Sequence, residues 1–377
     1  MKSSKSQINE LVSILNQHFC WNKARMVCFV GMVVGLLKTR SVNLAEIATG
    51  FAGDAGLMSR YRRLQRFVHG HRISYDKVAW FVMTLFGFID QPFYLAMDRT
   101  NWKWGRKDLN ILVLAVVYQG VAIPVYWLLL NKRGNSNAGE RIALMKRFVG
   151  QFGKERLLGL LADREFIGER WLAWLKAEGI GFCIRIKKDA IVPDSRGEFG
   201  QVQRLFRLLT VGETLALQGA RQMKGVPVHL TGLRLGDGEL LIVATDKAYP
   251  DAIGVYGKRW QIETLFSCLK GRGFNLEDTR VTGRARIKRL LVVPVVAFCW
   301  AHKVGEWRHE VKPISVKKHR RPAKSIFRLG LDWLRDNLLK TASKLDLVCQ
   351  SFVQLCNGQV KPDTFSDSLP IKIPLIL

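Results

Sequence analysis

The chain has 377 residues, 48% of them hydrophobic, which is enough for two or three domains that each bury a core. Lysine and arginine number 59 against 31 acidic residues, and the net charge of +28 is spread along the whole chain. This composition excludes a disordered protein, and a folded protein with such a basic balance most often binds nucleic acid. Binding to a membrane surface is the rival explanation, but it predicts one basic amphipathic helix, and none stands out.

The cysteines and the N-terminus bear on the cellular compartment. Seven cysteines occur without a CxxC pair, most of them among apolar neighbours, which predicts reduced structural thiols and no zinc site. The N-terminal sequence MKSSKSQINELVSIL lacks the apolar core and the cleavage site of a signal peptide. We therefore expect a cytoplasmic protein.

Residues 1–90 have the pattern of a helical, basic domain. A short helix is predicted at 41–48 after an Asn or Ser cap, and a longer basic helix is predicted at 56–72. Helix, turn and basic helix form the pattern of a DNA-reading unit, although a helical bundle with a solvated basic face would show it too. The candidate DNA-binding residues on the second helix are Arg60, Arg62, Arg63 and Arg66.

From residue 91 onward the chain alternates between strand and helix patterns, which predicts an α/β domain with a mixed sheet. The predicted elements are a strand at 93–98, paired strands at 111–130, a helix at 137–152, a strand within 156–166, a helix at 168–179, a strand at 181–187, a strand at 240–246 and a helix at 251–270. Two of these strands end in Asp98 and Asp163, and open α/β sheets usually bind ligands at such strand ends.

The segment at 111–130 is largely apolar, as a membrane-spanning helix would be. Gln119-Gly120 and Pro124 interrupt it, and valine and isoleucine dominate its first half. Two buried strands joined by a tight turn therefore explain the segment better than a transmembrane helix does.

Two further regions complete the chain. Residues 188–239 carry eight glycines among short apolar runs, which predicts short strands inserted into the α/β domain of residues 91–275. Residues 276–377 are helical and basic again, and the sequence KKHRRPAK at 317–324 is typical of a loop with a dense basic patch. We expect this C-terminal region to contact DNA and to take part in dimerisation.

The predicted helix at 251–270 collects several cations around one acid, Glu263. At about 100° per residue, Tyr256, Arg259, Glu263 and Lys270 fall within a sector of roughly 60° that borders the buried stripe. A solvated face usually lies opposite the core, so this stripe suits side chains that line a cleft, although an ordinary salt-bridged flank remains the alternative. Together with the two strand-end aspartates, Glu263 would complete three carboxylates, a set that can hold a pair of divalent cations.

Three sequence motifs resemble those of the DDE transposases of the insertion sequence four family. They are AMDRTNWKWG around Asp98, LLADREFIGERW around Asp163 and YGKRWQIETLFSCLK around Glu263. In the third motif Tyr, Arg, Glu and Lys are separated by two, three and six residues, which is the spacing of the YREK signature of that family. The resemblance runs from about residue 93 to residue 275.

The resemblance implies an RNase H-like catalytic domain, with a β-rich insertion between the second Asp and the Glu and with helical regions on either side. It implies a bacterial, nucleoid-associated enzyme that nicks element ends on double-stranded DNA, joins them to target DNA and forms a synaptic homodimer. The implied catalytic ligands of two Mg²⁺ ions, for which Mn²⁺ would substitute, are Asp98, Asp163 and Glu263. The implied phosphate-binding residues near the scissile bond are Tyr256, Arg259 and Lys270.

The β-rich insertion departs from the pattern of the relatives that form a DNA hairpin. Those relatives stack a flipped base on a tryptophan of the insertion, and this chain has no Trp between Trp174 and Trp260. Phe199 or Phe206 would substitute, or Trp260 would hold the base. Two other functions remain open: an RNase H-like nuclease for DNA junctions, and a non-catalytic DNA-binding descendant. The presence of all three acids counts against the second of these.

Overall fold

A computed structural model describes residues 4–51, 55–318, 320–340 and 342–356. In chain order the helices are α1 (Ser4–Phe19), α2 (Lys23–Thr39), α3 (Leu44–Gly50), α4 (Leu57–Gly70), α5 (Tyr75–Leu85), α6 (Ala138–Phe152), α7 (Glu169–Ala177), α8 (Ala252–Gly257), α9 (Gln261–Leu269), α10 (Arg284–Leu290), α11 (Val292–Val311), α12 (Ile326–Leu339) and α13 (Ala342–Cys356). The strands are β1 (Phe93–Trp104), β2 (Lys107–Tyr118), β3 (Val121–Leu130), β4 (Leu157–Ala162), β5 (Phe182–Ile186), β6 (Ile191–Pro193), β7 (Phe199–Gln201), β8 (Thr214–Ala216), β9 (Arg221–Met223), β10 (Val226–Arg234) and β11 (Leu240–Thr245).

The described residues form two compact units. The helical unit takes its residues from 1–72, 271–279 and 289–377, so it combines α1–α4 with α11–α13. The sheet unit takes its residues from 73–270 and 280–288, and it contains all the strands together with α5–α9. The functional division into residues 1–90, 91–275 and 276–377 stays a prediction, and residues 357–377 of its last part lie outside the described residues.

The helical unit is built around two apolar helices, α2 and α11, whose residues are mostly buried. The helix α11 packs against both α2 and α12. A Cβ added at Gly330 of α12 would lie 1.8 Å from the Ala301 carbonyl oxygen, and one added at Gly305 of α11 would lie 2.0 Å from the Ile326 carbonyl oxygen. These two glycines therefore let the backbones of α11 and α12 come into direct contact, which any larger side chain would prevent.

The N-terminal helices predicted at 41–48 and 56–72 are both present, as α3 and α4. The Oδ1 atom of Asn43 accepts a hydrogen bond from the backbone N–H of Ala45 at 3.0 Å, which caps α3 as the sequence predicts. Among the described residues, no single helix is long and apolar enough to cross a membrane. The segments Asn9–Phe19 and Lys23–Thr39 are together long and apolar enough, but they are bent by 112° relative to each other.

The sheet unit contains a mixed sheet that has nine strands within the described residues. Its order is β3-β2-β1-β4-β5-β11-β10-β8, with β9 paired to β10. The pairs β1–β4 and β4–β5 are parallel and the others are antiparallel. Helices α5, α6 and α9 pack on β3, and α8 packs on β5. The predicted architecture, a mixed sheet flanked by helices with a β-rich insertion, is confirmed.

The apolar segment at 111–130 forms the paired strands β2 and β3, as its interrupted pattern predicts. The turn between them uses Gln119 and Gly120, which have φ angles of 41° and 90°. The short strands predicted for residues 188–239 are also present, as β6 to β10. Strands β8 and β10 continue the main sheet beyond β11, so the insertion is joined to the sheet by backbone hydrogen bonds.

Two elements differ from their predicted extent. Strand β1 does not end at Asp98 but continues to Trp104, because residues 99–104 pair with the first half of β2. The predicted helix at 251–270 is divided into α8 and α9 by a 3₁₀ turn at Lys258–Trp260. A 3₁₀ turn has three residues per turn, so side chains three positions apart lie above one another and the 100° spacing fails at this point.

Candidate active site

Asp98 and Asp163 lie side by side where the parallel pair β1–β4 ends. The last paired residues of these strands are Met97 and Ala162, and each aspartate is the next residue of its chain segment. Neighbouring strands are about 4.8 Å apart, so equivalent positions on them are close. The sheet register therefore brings the two predicted acids together at the carboxyl end of β4.

Glu263 reaches the same place from the first turn of α9. This helix packs against β1, β2 and β3. Its first residue, Gln261, accepts a hydrogen bond through Oε1 from the backbone N–H of Tyr118 at 2.8 Å, which fixes the start of α9 at the end of β2.

Arg259 and Tyr256 connect the three carboxylates. The Nη1 atom of Arg259 donates to Oδ2 of Asp98 at 3.0 Å, and its Nη2 atom donates to Oε1 of Glu263 at 2.8 Å. The Nε atom donates to the hydroxyl oxygen of Tyr256 at 3.2 Å, and that hydroxyl group lies 3.3 Å from Oδ1 of Asp163 and donates to it. Tyr256 lies in the last turn of α8, and Arg259 lies three positions later in the 3₁₀ turn that follows it.

The pair of Tyr256 and Arg259 is buried, which determines its protonation. Burial alone would lower the pKa of Arg259, but Tyr256, Glu263 and Asp98 raise it overall, so the guanidinium keeps its charge with its side chain only 3% exposed. Burial raises the pKa of Tyr256 to about 12, and the phenol therefore stays protonated as a donor to Asp163.

Asp98 is a largely buried acid whose pKa is shifted upward. Burial raises its pKa from an ordinary value of 3.8 to about 6, and the nearby carboxylates of Glu165 and Asp163 add to the rise. The backbone N–H of Arg99, which donates to Oδ1 at 2.7 Å, and the guanidinium of Arg259 act in the opposite direction. One buried arginine thus does not fully compensate the negative charge, and the site favours additional positive charge.

The donor set fits a hard divalent cation, since Mg²⁺ and Mn²⁺ prefer carboxylate oxygens. Among the described residues, no three His, Cys, Asp or Glu side chains are arranged as a metal site. The reason is visible in the hydrogen bonds: Arg259 and Tyr256 lie between the carboxylates and supply the positive charge and the donors. The acids fit a divalent cation by ligand type and by charge, provided that Arg259 gives up its position.

The sequence pattern did not single out Arg99 and Glu165, which form a bidentate ion pair beside the two aspartates. The Nε and Nη2 atoms of Arg99 donate to the two carboxylate oxygens of Glu165 at 2.7 Å and 2.6 Å. Arg99 directly follows Asp98, and Glu165 lies two residues after Asp163, so the pair ties the two acid-bearing segments to each other. The sequence signal that could have identified this pair is the Arg directly after Asp98 and the Glu two residues after Asp163.

Lys270 and Trp260 are the other predicted DNA-binding residues of this region, and they contact β1 and Arg259. The Nζ atom of Lys270 lies 3.5 Å from the carbonyl oxygen of Asn101 on β1, three residues beyond Asp98. The side chain of Trp260 is 53% exposed, and the guanidinium of Arg259 lies 4.9 Å from the centroid of its ring. Tyr, Arg and Glu of the YREK pattern are therefore joined by hydrogen bonds, whereas its Lys contacts the backbone of β1.

The four arginines predicted to bind DNA belong to the helical unit and fall into two groups. Arg60 donates to the carbonyl oxygens of Phe51 at 2.6 Å and Ala55 at 2.8 Å, so its side chain is engaged by backbone of its own unit. Arg63 donates to the carbonyl oxygen of Ala24 at 3.1 Å and thereby ties α4 to α2. The remaining two have exposed side chains, and they are Arg62 and Arg66.

The two phenylalanines considered as base-stacking residues have opposite environments. Phe206 is fully buried, and its ring fills the space over Gly232, so it is unavailable to a ligand. Phe199 is 73% exposed and lies on an open cleft of 710 Å³, which we call the insertion cleft. Other residues that line this cleft are Arg164, Glu165, Lys187, Asp189, Ile191 and Lys224.

Comparison with known proteins identifies the family. No curated protein matches the chain in sequence. Among solved structures, the chain is similar to a piggyBac transposase in a cryo-EM structure of its synaptic complex with hairpin DNA, with 11% identity, a TM-score of 0.46, and coverage of 98% of this chain and 84% of that chain. A profile of the transposase DDE domain matches residues 90–300, more than half of the chain. The chain therefore belongs to the transposase DDE domain family.

Proposed function

We propose that the protein is a DNA transposase of the insertion sequence four family, which nicks the ends of a mobile element and joins them to target DNA. The observation that carries this proposal is the meeting of Asp98, Asp163 and Glu263 around one buried arginine at the end of a parallel strand pair. Family membership supplies the reaction class, and the YREK spacing supports the narrower family.

We propose Asp98, Asp163 and Glu263 as the ligands of two Mg²⁺ ions, with Mn²⁺ as a substitute. Such ions, when bound, activate the attacking oxygen and stabilise the leaving oxygen in phosphodiester chemistry. The Arg99–Glu165 pair would keep the spacing of the two aspartates, because it links the residues that follow them. Its low exposure, 13% and 18% for the two side chains, favours a fixed geometry over a solvated surface pair.

Arg259 would have two successive partners. In the DNA-free protein it neutralises Asp98 and Glu263, whose carboxylates it bonds directly. When the site is loaded, we propose that Arg259 turns towards a DNA phosphate, since a planar guanidinium binds phosphate oxygens in the same bidentate way as carboxylates. Lys270, which contacts the backbone of β1, would bind a phosphate farther along the DNA strand, and Tyr256 would position both Arg259 and Asp163.

We further propose that a DNA hairpin intermediate, if formed, uses Phe199 to stack the flipped base. Phe206 is excluded by its burial, and Phe199 is exposed on the insertion cleft. Arg164 lines the same cleft and directly follows Asp163, so a base held there would be close to the acids. Stacking of a base on an aromatic ring contributes about 1–3 kcal/mol, which is enough to hold an unpaired nucleotide. Exposed Trp260 is the other candidate.

End recognition is assigned to the N-terminal region, residues 1–90. Within α4, Arg62 and Arg66 are the residues that we propose for DNA contact, because Arg60 and Arg63 are bonded to backbone carbonyls of their own unit. We propose that the protein acts as a homodimer on double-stranded DNA, both element ends and target, in the nucleoid of a bacterial cytoplasm.

The proposal is tested with purified protein, Mg²⁺ and a labelled duplex that carries the DNA flanking the gene. We expect nicked and then joined products with Mg²⁺, and none with EDTA. Asp163→Asn should keep duplex binding and lose all products. Phe199→Ala should keep the first nick and reduce hairpin products. If Trp260 holds the base instead, Trp260→Ala should be the variant that reduces hairpin products. The proposal is wrong if Asp163→Asn cleaves as well as the wild-type protein.

A further inference from the structure

The connection between α11 and α12 is a structured hairpin, although its sequence predicts only a loop. Val316 pairs with Pro322 in an antiparallel bridge. The N–H of Lys317 donates to the carbonyl oxygen of Arg321 at 2.9 Å, and the N–H of Ala323 donates to that of Ser315 at 2.8 Å. We call residues 315–318 and 320–323 the basic hairpin.

Four cations at the tip of the basic hairpin have no compensating charge. They are all exposed, and they are Lys317, Lys318, Arg320 and Arg321. Within the part of the chain that the structure describes, none of the four forms an ion pair. The nearby acid Asp332 is already engaged, because it pairs with Lys324 at 3.3 Å and with Arg328 at 2.7 Å. The tip therefore presents an uncompensated positive charge to solvent.

The backbone of the tip holds one of these cations in an unfavourable conformation. Arg320 has a φ angle of 60°, in the left-handed region, and its N–H donates to the carbonyl oxygen of Lys317 at 2.8 Å. Glycine adopts this conformation without steric conflict, whereas a residue with a Cβ is strained there. An arginine at a position that suits glycine points to a use for its side chain outside the folded chain.

We propose that the basic hairpin is a docking site for the phosphate backbone of double-stranded DNA. The inference rests on the proposed function, and it adds a contact that is separate from the carboxylate site. Its backbone hydrogen bonds hold the cations at fixed spacing before binding, so less conformational entropy is lost when DNA binds. The tip offers lysine and arginine without Asn or Gln, a set that suits phosphate oxygens more than base edges.

The test measures binding of the full-length protein to a fluorescent duplex of arbitrary sequence over a series of KCl concentrations. The variant Lys318→Gln/Arg321→Gln removes two phosphate contacts, so the slope of log K against log salt should fall in magnitude by about 1.8. The control Lys146→Gln/Lys176→Gln removes two exposed cations from α6 and α7 of the sheet unit and should leave the slope unchanged.

Arg320→Gly separates a structural role from a binding role. It should lower the slope by about 0.9. It should not lower the melting temperature, since glycine relieves the strained backbone. A merely structural role predicts the reverse, with a lower melting temperature and unchanged binding.

The hairpin proposal and the proposed function are overturned by different results. Equal salt slopes for the double variant and for its control overturn the hairpin assignment, while normal nicking of element-end DNA by the wild-type protein keeps the proposed function. Absence of both duplex binding and nicking by the wild-type protein overturns both. Loss of binding to anionic lipid vesicles in the double variant, with DNA binding intact, would assign the hairpin to a membrane surface and overturn the DNA proposal.

Discussion

Replacing Arg259 by glutamine tests whether one guanidinium holds the acids together in the metal-free protein. The substitution removes the charge that bonds Asp98 at 3.0 Å and Glu263 at 2.8 Å, and it keeps a shorter polar side chain. The perturbation therefore leaves two carboxylates without their shared cation. Because the side chain of Arg259 is only 3% exposed, water does not readily reach its position to solvate the carboxylate of Asp98 instead.

The expected magnitude follows from the exposure of each partner. Removing one member of a buried ion pair costs about 3–5 kcal/mol, and Asp98, at 18% exposure, is close to that case. Glu263 is 44% exposed, so its lost contact adds under about 1 kcal/mol. Asp98 relieves part of the loss by taking up a proton, because its pKa is already raised to about 6. We expect a net loss of about 3 kcal/mol at neutral pH, which for a unit of this size lowers Tm by roughly 6–12 °C.

The assay is thermal melting in EDTA and in increasing Mg²⁺. The wild-type protein should gain little stability from Mg²⁺, because Arg259 already occupies the carboxylates. Arg259→Gln should start lower and gain more, approaching about 2.7 kcal/mol when Mg²⁺ reaches a hundred times its dissociation constant. Glu263→Gln in the Arg259→Gln background should reduce that gain.

A matched control is Arg106→Gln, which removes an exposed arginine from the turn between β1 and β2. It should melt like the wild-type protein with and without Mg²⁺. If Arg259→Gln also melts like the wild-type protein in EDTA and shows the same Mg²⁺ response, the bridging role of Arg259 is refuted.

Three further predictions concern stability and geometry. The pKa of Asp98 is raised from 3.8 to about 6 in the folded protein, so folding favours its protonated form. The free energy of unfolding in EDTA should therefore fall as pH rises between about 4 and 6. At about 1.36 kcal/mol per pKa unit, this loss of stability reaches about 3 kcal/mol. Asp98→Asn lacks this loss, so its Tm relative to wild type should rise between pH 4 and pH 7. Gly330→Ala should destabilise the helical unit by about 1–3 kcal/mol or more, since its Cβ would lie 1.8 Å from the Ala301 carbonyl oxygen. Arg99→Lys, which cannot bind Glu165 in bidentate fashion, should reduce nicking at least tenfold with DNA binding retained.

These predictions have direct controls. Asp108→Asn removes another carboxylate of the same sheet, on β2, and serves as the control for Asp98→Asn. The same pH trend in both variants would contradict the Asp98 assignment. Gly271→Ala introduces a Cβ with no atom nearby, and equal melting of the two alanine variants would contradict the close approach of α11 and α12. Normal nicking by Arg99→Lys would remove the Arg99–Glu165 pair from the positioning of the aspartates.

Features that depend on local patterns could be predicted from the amino-acid sequence. Apolar runs that stop at Asp98 and Asp163 marked the positions where the parallel pairing of β1 with β4 ends, although β1 itself continues to Trp104. The interruption at Gln119-Gly120 predicted paired strands in the segment at 111–130. Strand alternation, turn residues and motif spacing act over a few residues, so they can be read without knowledge of distant contacts.

Contacts between residues that are distant in the chain could not be predicted from such patterns. Arg259 bonds Asp98, which is 161 residues away in the chain, and no local pattern specifies that contact. The Arg99–Glu165 pair, the continuation of the main sheet by β8 and β10, and the burial of Phe206 also depend on residues that are distant in sequence. Pairing partners and desolvation arise when the chain is packed, because neither the hydrogen-bonding partner of a strand edge nor the dielectric around a charge is encoded in the local pattern.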